Sequence, residues 1–186
     1  MKKLILLFAM ALVMQSCYVT IEIPPCMNGN LTPEQTNSIC WLSDTTSLIG
    51  LDNDDCIYAI NSNQMKDLLI AKDRTSVYRW LPYDMKNNIP IYFVQSYCDE
   101  NNIELYVITN EYTAAFAEID NVKNPIFSMN IGDCMINVEN KLEDKFYKEL
   151  FGNKYKKKFH IYYLENGEFV RTEDEMMNEK WKKKWE

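Results

Sequence analysis

The stretch from Thr75 to Tyr112 constrains the fold more than any other part of this sequence. Residues 75–81 are rich in β-branched and aromatic side chains, which is typical of a strand, and residues 82–88 have the Pro, Asp and Asn content of a loop. Residues 89–101 repeat apolar side chains at helical spacing, and residues 103–109 predict a second strand. Two strands joined by a helix pair in parallel through a right-handed crossover. The stretch therefore predicts an α/β fold, with a candidate site in the loop after the first strand.

The flanking sequence adds strands and helices on both sides of this unit. Apolar spacing, caps and turn signals predict, in chain order, a helix from Pro33 to about Leu42, a strand over 56–60, a helix over 63–72 capped by Ser62, a helix over 111–119, an edge or inserted strand over 125–130, and a helix over 142–151. A β-hairpin over 158–171 turns on Asn166-Gly167, because this pair tolerates positive φ at both turn positions. A helix that begins after Thr172 ends the chain.

The first residues have the features of an export signal. Two lysines precede an apolar run over 4–14 that is too short for a typical membrane span. The following Gln15-Ser16-Cys17 resembles the end of a bacterial lipoprotein signal, in which the cysteine is diacylated and becomes the first residue. This resemblance implies lipidation of Cys17 and stable anchoring, because two acyl chains suffice to hold a protein on a bilayer. The alternative is ordinary secretory cleavage near Ser16, which leaves Cys17 as a thiol.

Charge limits the classes of partner. The chain carries 20 basic and 27 acidic residues, and removal of Lys2 and Lys3 with the signal leaves 18 against 27, a net charge of −9. Such an acidic domain is a poor candidate for binding nucleic acid or an anionic membrane surface. The expected partners are the membrane, through the lipid anchor, and a protein that the sequence does not identify.

The cysteines predict a disulfide but no metal site. The sequence has six, at positions 17, 26, 40, 56, 98 and 134, and an exported protein can carry one or two disulfides among them. Cys26 with Cys40 is the favoured pair, because both flank the short N-terminal helix. No Cys-x-x-Cys occurs and His160 is the single histidine, so the sequence predicts neither zinc nor another cofactor.

The order of elements from Cys56 to Glu186 resembles the thioredoxin fold. Residues 76–80 are similar to the family's central strand, which runs into a Trp, and Pro90 lies in the first turn of the next helix, as a Pro does in the family's active-site helix. The hairpin and the last amphipathic helix are similar to the family's final hairpin and to the helix that covers its sheet. The resemblance implies a thioredoxin-like α/β domain with a central mixed sheet of four to five strands, flanked by helices and preceded by an N-terminal extension.

Four segments follow from these two resemblances. Residues 1–16 are a lipoprotein signal peptide, residues 17–31 a tether, residues 32–55 an N-terminal helical extension, and residues 56–186 the thioredoxin-like domain. The predicted location is the bacterial cell envelope, with the domain lipid-anchored and facing the periplasm or the cell surface.

The family's catalytic residues are replaced in this sequence. In the family, the first of the two catalytic cysteines follows the Trp after three intervening residues. Counted from Trp80, the positions of the two cysteines are Asp84 and Asn87. The position of the family's cis-Pro is occupied by Phe159, where we expect a trans bond because a non-Pro cis bond costs ~3 kcal/mol. The candidate relict site is therefore the loop with Trp80, Tyr83, Asp84 and Asn87, together with Phe159, and it contains no catalytic residue.

Each candidate side chain also has a plainer structural interpretation, which the residue pattern favours. Asp84 is a helix cap or a solvated loop residue rather than a carboxylate replacing a thiolate. Trp80 and Tyr83 pack in the core and loop rather than forming a substrate shelf, and His160 is an ordinary strand residue. The basic and aromatic residues 180–185 belong to a terminal helix packed on the sheet, with membrane contact as the alternative.

Three functional hypotheses remain open from the sequence. The first is a redox-inactive thioredoxin-like lipoprotein with a binding or assembly role. The second is a thiol-disulfide oxidoreductase that uses a non-standard pair, Cys98 with Cys134. The third is an unrelated small α/β surface protein.

Overall fold

The computed structural model describes residues 31–53, 55–84, 89–129 and 136–185. In chain order its strands are β1 (Ile39–Trp41), β2 (Ile57–Ile60), β3 (Arg74–Arg79), β4 (Glu104–Ile108), β5 (Ile126–Met129), β6 (Ile161–Glu165) and β7 (Glu168–Thr172). Its α-helices are α1 (Pro33–Asn37), α2 (Ser62–Ile70), α3 (Ile91–Glu100), α4 (Tyr112–Glu118), α5 (Ile136–Phe151) and α6 (Asp174–Trp185). Short 3-10 turns follow α4 at Ile119–Asn121 and α5 at Gly152–Lys154.

The seven strands form one mixed sheet in the order β1-β2-β5-β4-β3-β6-β7. The first five strands of this order run parallel, and β6 and β7 are antiparallel to their neighbours. The α/β class and the mixed sheet flanked by helices are confirmed. The predicted number of four to five strands is wrong, because β1 and β5 join the same sheet.

The central unit has the predicted connection. Strands β3 and β4 are parallel neighbours, with Val77 paired to Tyr106, and α3 connects them. The helix begins at Ile91 and its N-cap is Pro90, whose fixed φ of −55° suits a helix entry. The parallel pairing therefore places the loop after β3 at the carboxyl end of the parallel strands.

Strand β5 is an inserted strand and does not lie at an edge. It pairs with β2 on one side and with β4 on the other, so it occupies the interior of the parallel part of the sheet. Pro125 does not force an edge position, because it precedes the strand and its missing N–H is outside the ladder. All four residues of β5 are buried, as expected for a strand covered on both faces.

The N-terminal segment is only partly helical. Helix α1 has the predicted capping box at Thr32 but ends at Asn37, earlier than predicted, because Ile39–Trp41 form strand β1 against β2. The cap of α2 also differs from the prediction. The Asn61 side chain, and not that of Ser62, accepts the Gln64 N–H at 2.9 Å, and the Gln64 side chain accepts the Asn61 N–H in return.

Two apolar layers cover the faces of the sheet. On one face α3, α4 and α6 pack on residues such as Tyr78, Val107 and Tyr163. On the other face α2 and α5 pack on Val77, Tyr106 and Tyr162. Alternate residues of each strand therefore enter different layers, and Arg79, two residues after Val77, points to the α2/α5 side.

The predicted hairpin is confirmed. Strands β6 and β7 pair antiparallel and turn at Asn166 and Gly167, whose φ angles are +50° and +78°. The Asn166 N–H donates to the Asp73 carbonyl at 2.8 Å, which ties the turn to the chain before β3. Strand β6 then pairs with β3, so the hairpin borders the central unit.

Candidate functional site

The candidate site is a group of charged side chains at the carboxyl end of β3. It consists of Arg79, Asp84, Glu143, His160 and Asp174, which we call the β3-end cluster. Strand β3, the loop after it, helix α5, the residue before β6 and the start of α6 each contribute one member. The carboxyl ends of parallel strands are where open α/β sheets usually place their ligand sites. The β3-end cluster therefore lies where a functional site is expected.

Arg79 and Glu143 form a buried ion pair. Arg79 Nε lies 2.5 Å from Glu143 Oε1, with side-chain exposures of 4% and 9%. Arg79 Nη1 also donates to the Lys157 carbonyl at 3.0 Å, and its guanidinium lies 5.7 Å from the Tyr147 ring centroid. Burial opposes the charge of Arg79, but the hydrogen bond and charge of Glu143 outweigh it and raise the pKa of the guanidinium. The pair joins α5 to the end of β3.

His160 is buried between two carboxylates. Its Nε2 lies 3.6 Å from Asp84 Oδ2, and the backbone N–H groups of His160 and Ile161 donate to Asp174 at 2.6 and 3.1 Å. Burial lowers the pKa of His160, although the charges of Asp174 and Asp84 oppose this shift. Burial also raises the pKa of Asp174, although the two backbone hydrogen bonds to its carboxylate oppose this shift. His160 is therefore neutral at pH 7, and Asp174 fixes the start of β6 to the start of α6.

The chemistry that these side chains can perform is limited by their burial. A neutral imidazole can accept a proton, but His160 is 4% exposed and contacts Asp84, whose side chain is 31% exposed. Arg79 is already paired with a carboxylate and is 3% exposed. The contact between His160 and Asp84 thus positions the loop after β3. Among Arg79, His160 and Asp84, Asp84 has the most exposed side chain.

The structure places the predicted relict-site residues in different environments. Trp80 is 4% exposed and belongs to the core under α3, whereas Tyr83 is 72% exposed. Phe159 is half-buried, its N–H donates to the Lys156 carbonyl at 2.9 Å, and the peptide bond that joins Lys158 to it is trans, as expected. Asn87 lies outside the described residues. The structure brings Asp84 next to His160, the residue that follows Phe159.

Three interpretations of single residues need correction. Asp84 does not cap the helix, because α3 begins at Ile91 and its N-cap is Pro90. The Asp84 N–H instead closes a turn on the Leu81 carbonyl at 3.0 Å. Tyr83 does not pack within the loop, since 72% of it is exposed. His160 is not an ordinary strand residue, because its side chain contacts Asp84 of the loop and its backbone N–H donates to Asp174 of α6.

Three members of the β3-end cluster, Arg79, Glu143 and Asp174, were not predicted from the sequence. Arg79 is a charged residue between Tyr78 and Trp80 at the end of β3, and a charge flanked by large aromatic side chains is the signal that could have predicted a buried partner. Glu143 and Asp174 gave no local signal, because they lie in helices rich in charged residues. Only the fold brings them to the end of β3.

The described cysteines, Cys40, Cys56 and Cys98, are not members of the β3-end cluster. Cys98 is completely buried on α3, and burial raises the pKa of its thiol to about 12, with the charges of Glu173 and Asp99 adding to the shift. Cys40 and Cys56 lie at the β1 edge. Cys17, Cys26 and Cys134 lie outside the described residues, as does the predicted signal peptide. Cys98 has neither the exposure nor the low pKa of an attacking thiol.

Surface depressions lie elsewhere on the domain. One of about 410 Å³ lies at the amino end of β4 and is lined by residues such as Gln95, Asp99 and Lys123. Another, of about 440 Å³, lies between the end of α2 and the hairpin turn, beside Ile70 and Gly167. Neither is lined by a residue of the β3-end cluster.

The chain was compared with protein-family profiles, with curated proteins and with solved structures, and nothing matched in any of the three. Within the described parts of the chain, no helix combines the length and apolar character that a bilayer crossing needs. Among the same residues, no three His, Cys, Asp or Glu side chains form a group that could hold a metal ion.

Proposed function

We propose that this protein is a cell-envelope lipoprotein whose thioredoxin-like domain binds a protein partner and carries out no dithiol exchange. The proposal combines the export signal with the chemistry at the end of β3. The observation that carries it is the contact between Asp84 and His160 at the place where the resemblance puts a catalytic cysteine.

The arrangement of the elements supports the thioredoxin-like part of the proposal. Strand β3, helix α3 and strand β4 form a parallel unit, and the β6–β7 hairpin lies antiparallel against β3. Helices α3 and α6 cover the same face, as the family's active-site helix and terminal helix do. Strand β5, between β2 and β4, is a departure from the family pattern and counts against a close relationship.

The side chains at the end of β3 support the redox-inactive part. Dithiol exchange needs a thiolate that is accessible and has a lowered pKa. The sequence from Trp80 to Pro90 contains no cysteine. Asp84 occupies the first catalytic position and contacts a buried histidine, and Cys98 on the following helix is fully buried. A scaffold with these features keeps the position of the family's site without its sulfur chemistry.

Two exposed aromatic residues support a binding role. Tyr83 lies in the loop after β3 and is 72% exposed, and Tyr92 lies in the first turn of α3 and is 43% exposed. The Tyr92 ring also lies 6.1 Å from Trp181 of α6, edge-on. Tyrosine supplies contact area at low cost in conformational entropy and is enriched at protein interfaces. Tyr83 and Tyr92 are therefore the residues proposed to contact the partner.

Reduction of insulin with dithiothreitol as electron donor tests the redox-inactive claim. The full-length protein should leave the rate of insulin precipitation equal to that of dithiothreitol alone. A rate increase that disappears in Cys98→Ala or Cys134→Ala would support the oxidoreductase hypothesis instead. Cys40→Ala is the matched control, because Cys40 lies in the edge strand β1 and is not a member of the tested pair.

Lipidation is tested separately in a bacterial host. A clickable fatty acid should label the wild-type protein and place it in the membrane fraction, and Cys17→Ala should lose both. Cys26→Ala is the control, because it changes a neighbouring cysteine outside the signal motif. A wild-type protein recovered without lipid and cleaved elsewhere would contradict the anchor.

Binding is tested by cross-linking intact cells that carry the protein. A partner recovered with wild-type protein should be lost with the double variant Tyr83→Ala and Tyr92→Ala. Val170→Ala is the control, because Val170 is 45% exposed but lies on the edge strand β7. Equal recovery with all variants would mean that Tyr83 and Tyr92 do not contact the partner.

A further inference from the structure

Cys40 and Cys56 meet at the β1 edge of the sheet. Cys40 lies in β1, Cys56 directly precedes β2, and their Sγ atoms are 2.6 Å apart. Both side chains are partly exposed and pack against the apolar layer under α2 and α5. The two sulfur atoms are therefore in reach of each other and of a small oxidant.

The parallel pairing of β1 with β2 creates this contact. Ile39 pairs with Ile57, Cys40 pairs with Tyr58, and the Ile57 N–H donates to the Ser38 carbonyl at 3.0 Å. Cys56 lies two residues before Tyr58, so it shares the face of Tyr58 and of Cys40. The register therefore places both thiols on one side of the sheet, diagonal to each other.

The pair is separate from the β3-end cluster. Strands β2, β5 and β4 lie between β1 and β3 in the sheet. Cys98 is buried in the other apolar layer, under α3, and cannot compete for either sulfur. Among the described residues, Cys40 and Cys56 are thus the cysteines positioned to react with each other.

We propose that Cys40 and Cys56 form a structural disulfide in the exported protein. Its occurrence in the cell rests on the proposed envelope location, where disulfides form and persist. As the S–S bond forms, the two thiols release two protons and two electrons. A disulfide donor, either a small molecule or an oxidised protein dithiol, accepts them and becomes two thiols.

The bond fixes the N-terminal extension to the sheet. Strand β1 has only three residues and pairs only with β2 among the described strands. The cross-link closes the irregular segment between the two cysteines, which contributes Leu48 to the core at 4% exposure. The cross-link restricts the unfolded chain, so it stabilises the folded state in which this short strand pairs with its neighbour.

Peptide mapping of the full-length protein tests the pairing. The reduced protein is equilibrated with oxidised glutathione, alkylated with iodoacetamide and digested with proteases that cut before Asp and after Glu. This digestion separates Cys26 in fragment 23–34, Cys40 in fragment 35–43 and Cys56 in fragment 55–66. The expected product is the linked pair 35–43 and 55–66, which disappears when dithiothreitol is added before alkylation.

Three variants sharpen the result. Cys40→Ser and Cys56→Ser should each lose the linked product, and Cys98→Ser should retain it in full. If a serine variant fails to fold, the peptide map of the wild-type protein is sufficient to decide the pairing. A bond from Cys40 to fragment 23–34, or full alkylation of Cys40 and Cys56 after equilibration, overturns the proposal. Because the test uses purified protein, its outcome does not depend on the anchor or on insulin reduction.

Discussion

Arg79 Nε lies 2.5 Å from Glu143 Oε1 although the two residues are 64 positions apart in the chain. Both side chains are nearly inaccessible to water. Loss of one partner leaves the other charge buried without compensation, whereas loss of both removes the desolvation cost as well. This contact between α5 and the end of β3 is the part of the site whose energetics can be tested most simply.

Single substitutions of this pair should destabilise the domain strongly. We expect Arg79→Met and Glu143→Leu each to lower the free energy of unfolding by about 3–5 kcal/mol, and the double variant to lie nearer the wild type than either single variant. Urea unfolding followed by circular dichroism measures all four proteins in a double-mutant cycle. Single losses below about 1 kcal/mol, the range of exposed pairs, would contradict a buried ion pair.

The pH dependence of stability should report the burial of His160. Because the folded state lowers its pKa below 6.5, the unfolded chain binds more protons in the window from 6.5 down to the folded pKa. The free energy of unfolding should therefore fall as the pH falls through this window. The pKa of Asp174 is raised above 3.8, so this group has the opposite effect. Between its folded pKa and 3.8, the free energy of unfolding rises as the pH falls. Urea titrations at a series of pH values measure the slope.

Two variants separate the contribution of His160 from those of the groups that face it. His160→Asn should remove the slope just below pH 6.5. Asp84→Asn should extend the slope to lower pH, because the Asp84 charge raises the pKa of His160 and opposes the effect of burial. The charges of Asp174, Arg79 and Glu143 remain in both variants. An unchanged slope in His160→Asn would show that another group is responsible.

Gly167 should be far more sensitive to substitution than Gly50. Both have positive φ angles, +78° and +83°, so alanine is strained at either position. A Cβ at Gly167 would lie 2.7 Å from Ile70 Cγ1 and 2.9 Å from Ile70 Cα, whereas at Gly50 it would meet nothing within 4 Å. We expect Gly50→Ala to cost about 1 kcal/mol and Gly167→Ala about 1–3 kcal/mol more, from the added overpacking.

Thermal unfolding of the two alanine variants measures this difference. The structure requires the hairpin turn to lie directly on the end of α2. Equal losses in Gly167→Ala and Gly50→Ala would mean that the turn does not contact Ile70.

Local signals predicted the elements whose partners are close in sequence. The hairpin turn at Asn166-Gly167 and the β3–α3–β4 unit were both recognisable, because turn chemistry and helical spacing act within a few residues. The position of β5 was not recognisable, since the apolar residues Ile126–Met129 suit any buried strand and do not encode a neighbour. The strand character of Ile39–Trp41 was hidden for the same reason, because it depends on pairing with β2.

The site was harder to predict than the fold. Counting from Trp80 identified Asp84, but its contact with His160 depends on how the loop and the start of β6 meet in space. The Arg79–Glu143 pair joins elements from distant parts of the chain, and the Cys40–Cys56 contact depends on the register of β1. Contacts of this kind arise from the arrangement of the sheet and leave no pattern at short sequence spacing.

The rate of thiol exchange at Cys98 and Cys134 tests the absence of dithiol chemistry most directly. The reduced full-length protein is mixed with a glutathionylated peptide, quenched at intervals and analysed by mass spectrometry for glutathione on each cysteine. Cys98 is completely buried and its thiol has a pKa of about 12, so it should acquire glutathione at least about 100-fold more slowly in the native protein than in urea. Cys134 should react no faster in the native protein than in urea. Exchange at either cysteine that is faster in the native protein than in the unfolded chain would contradict the account.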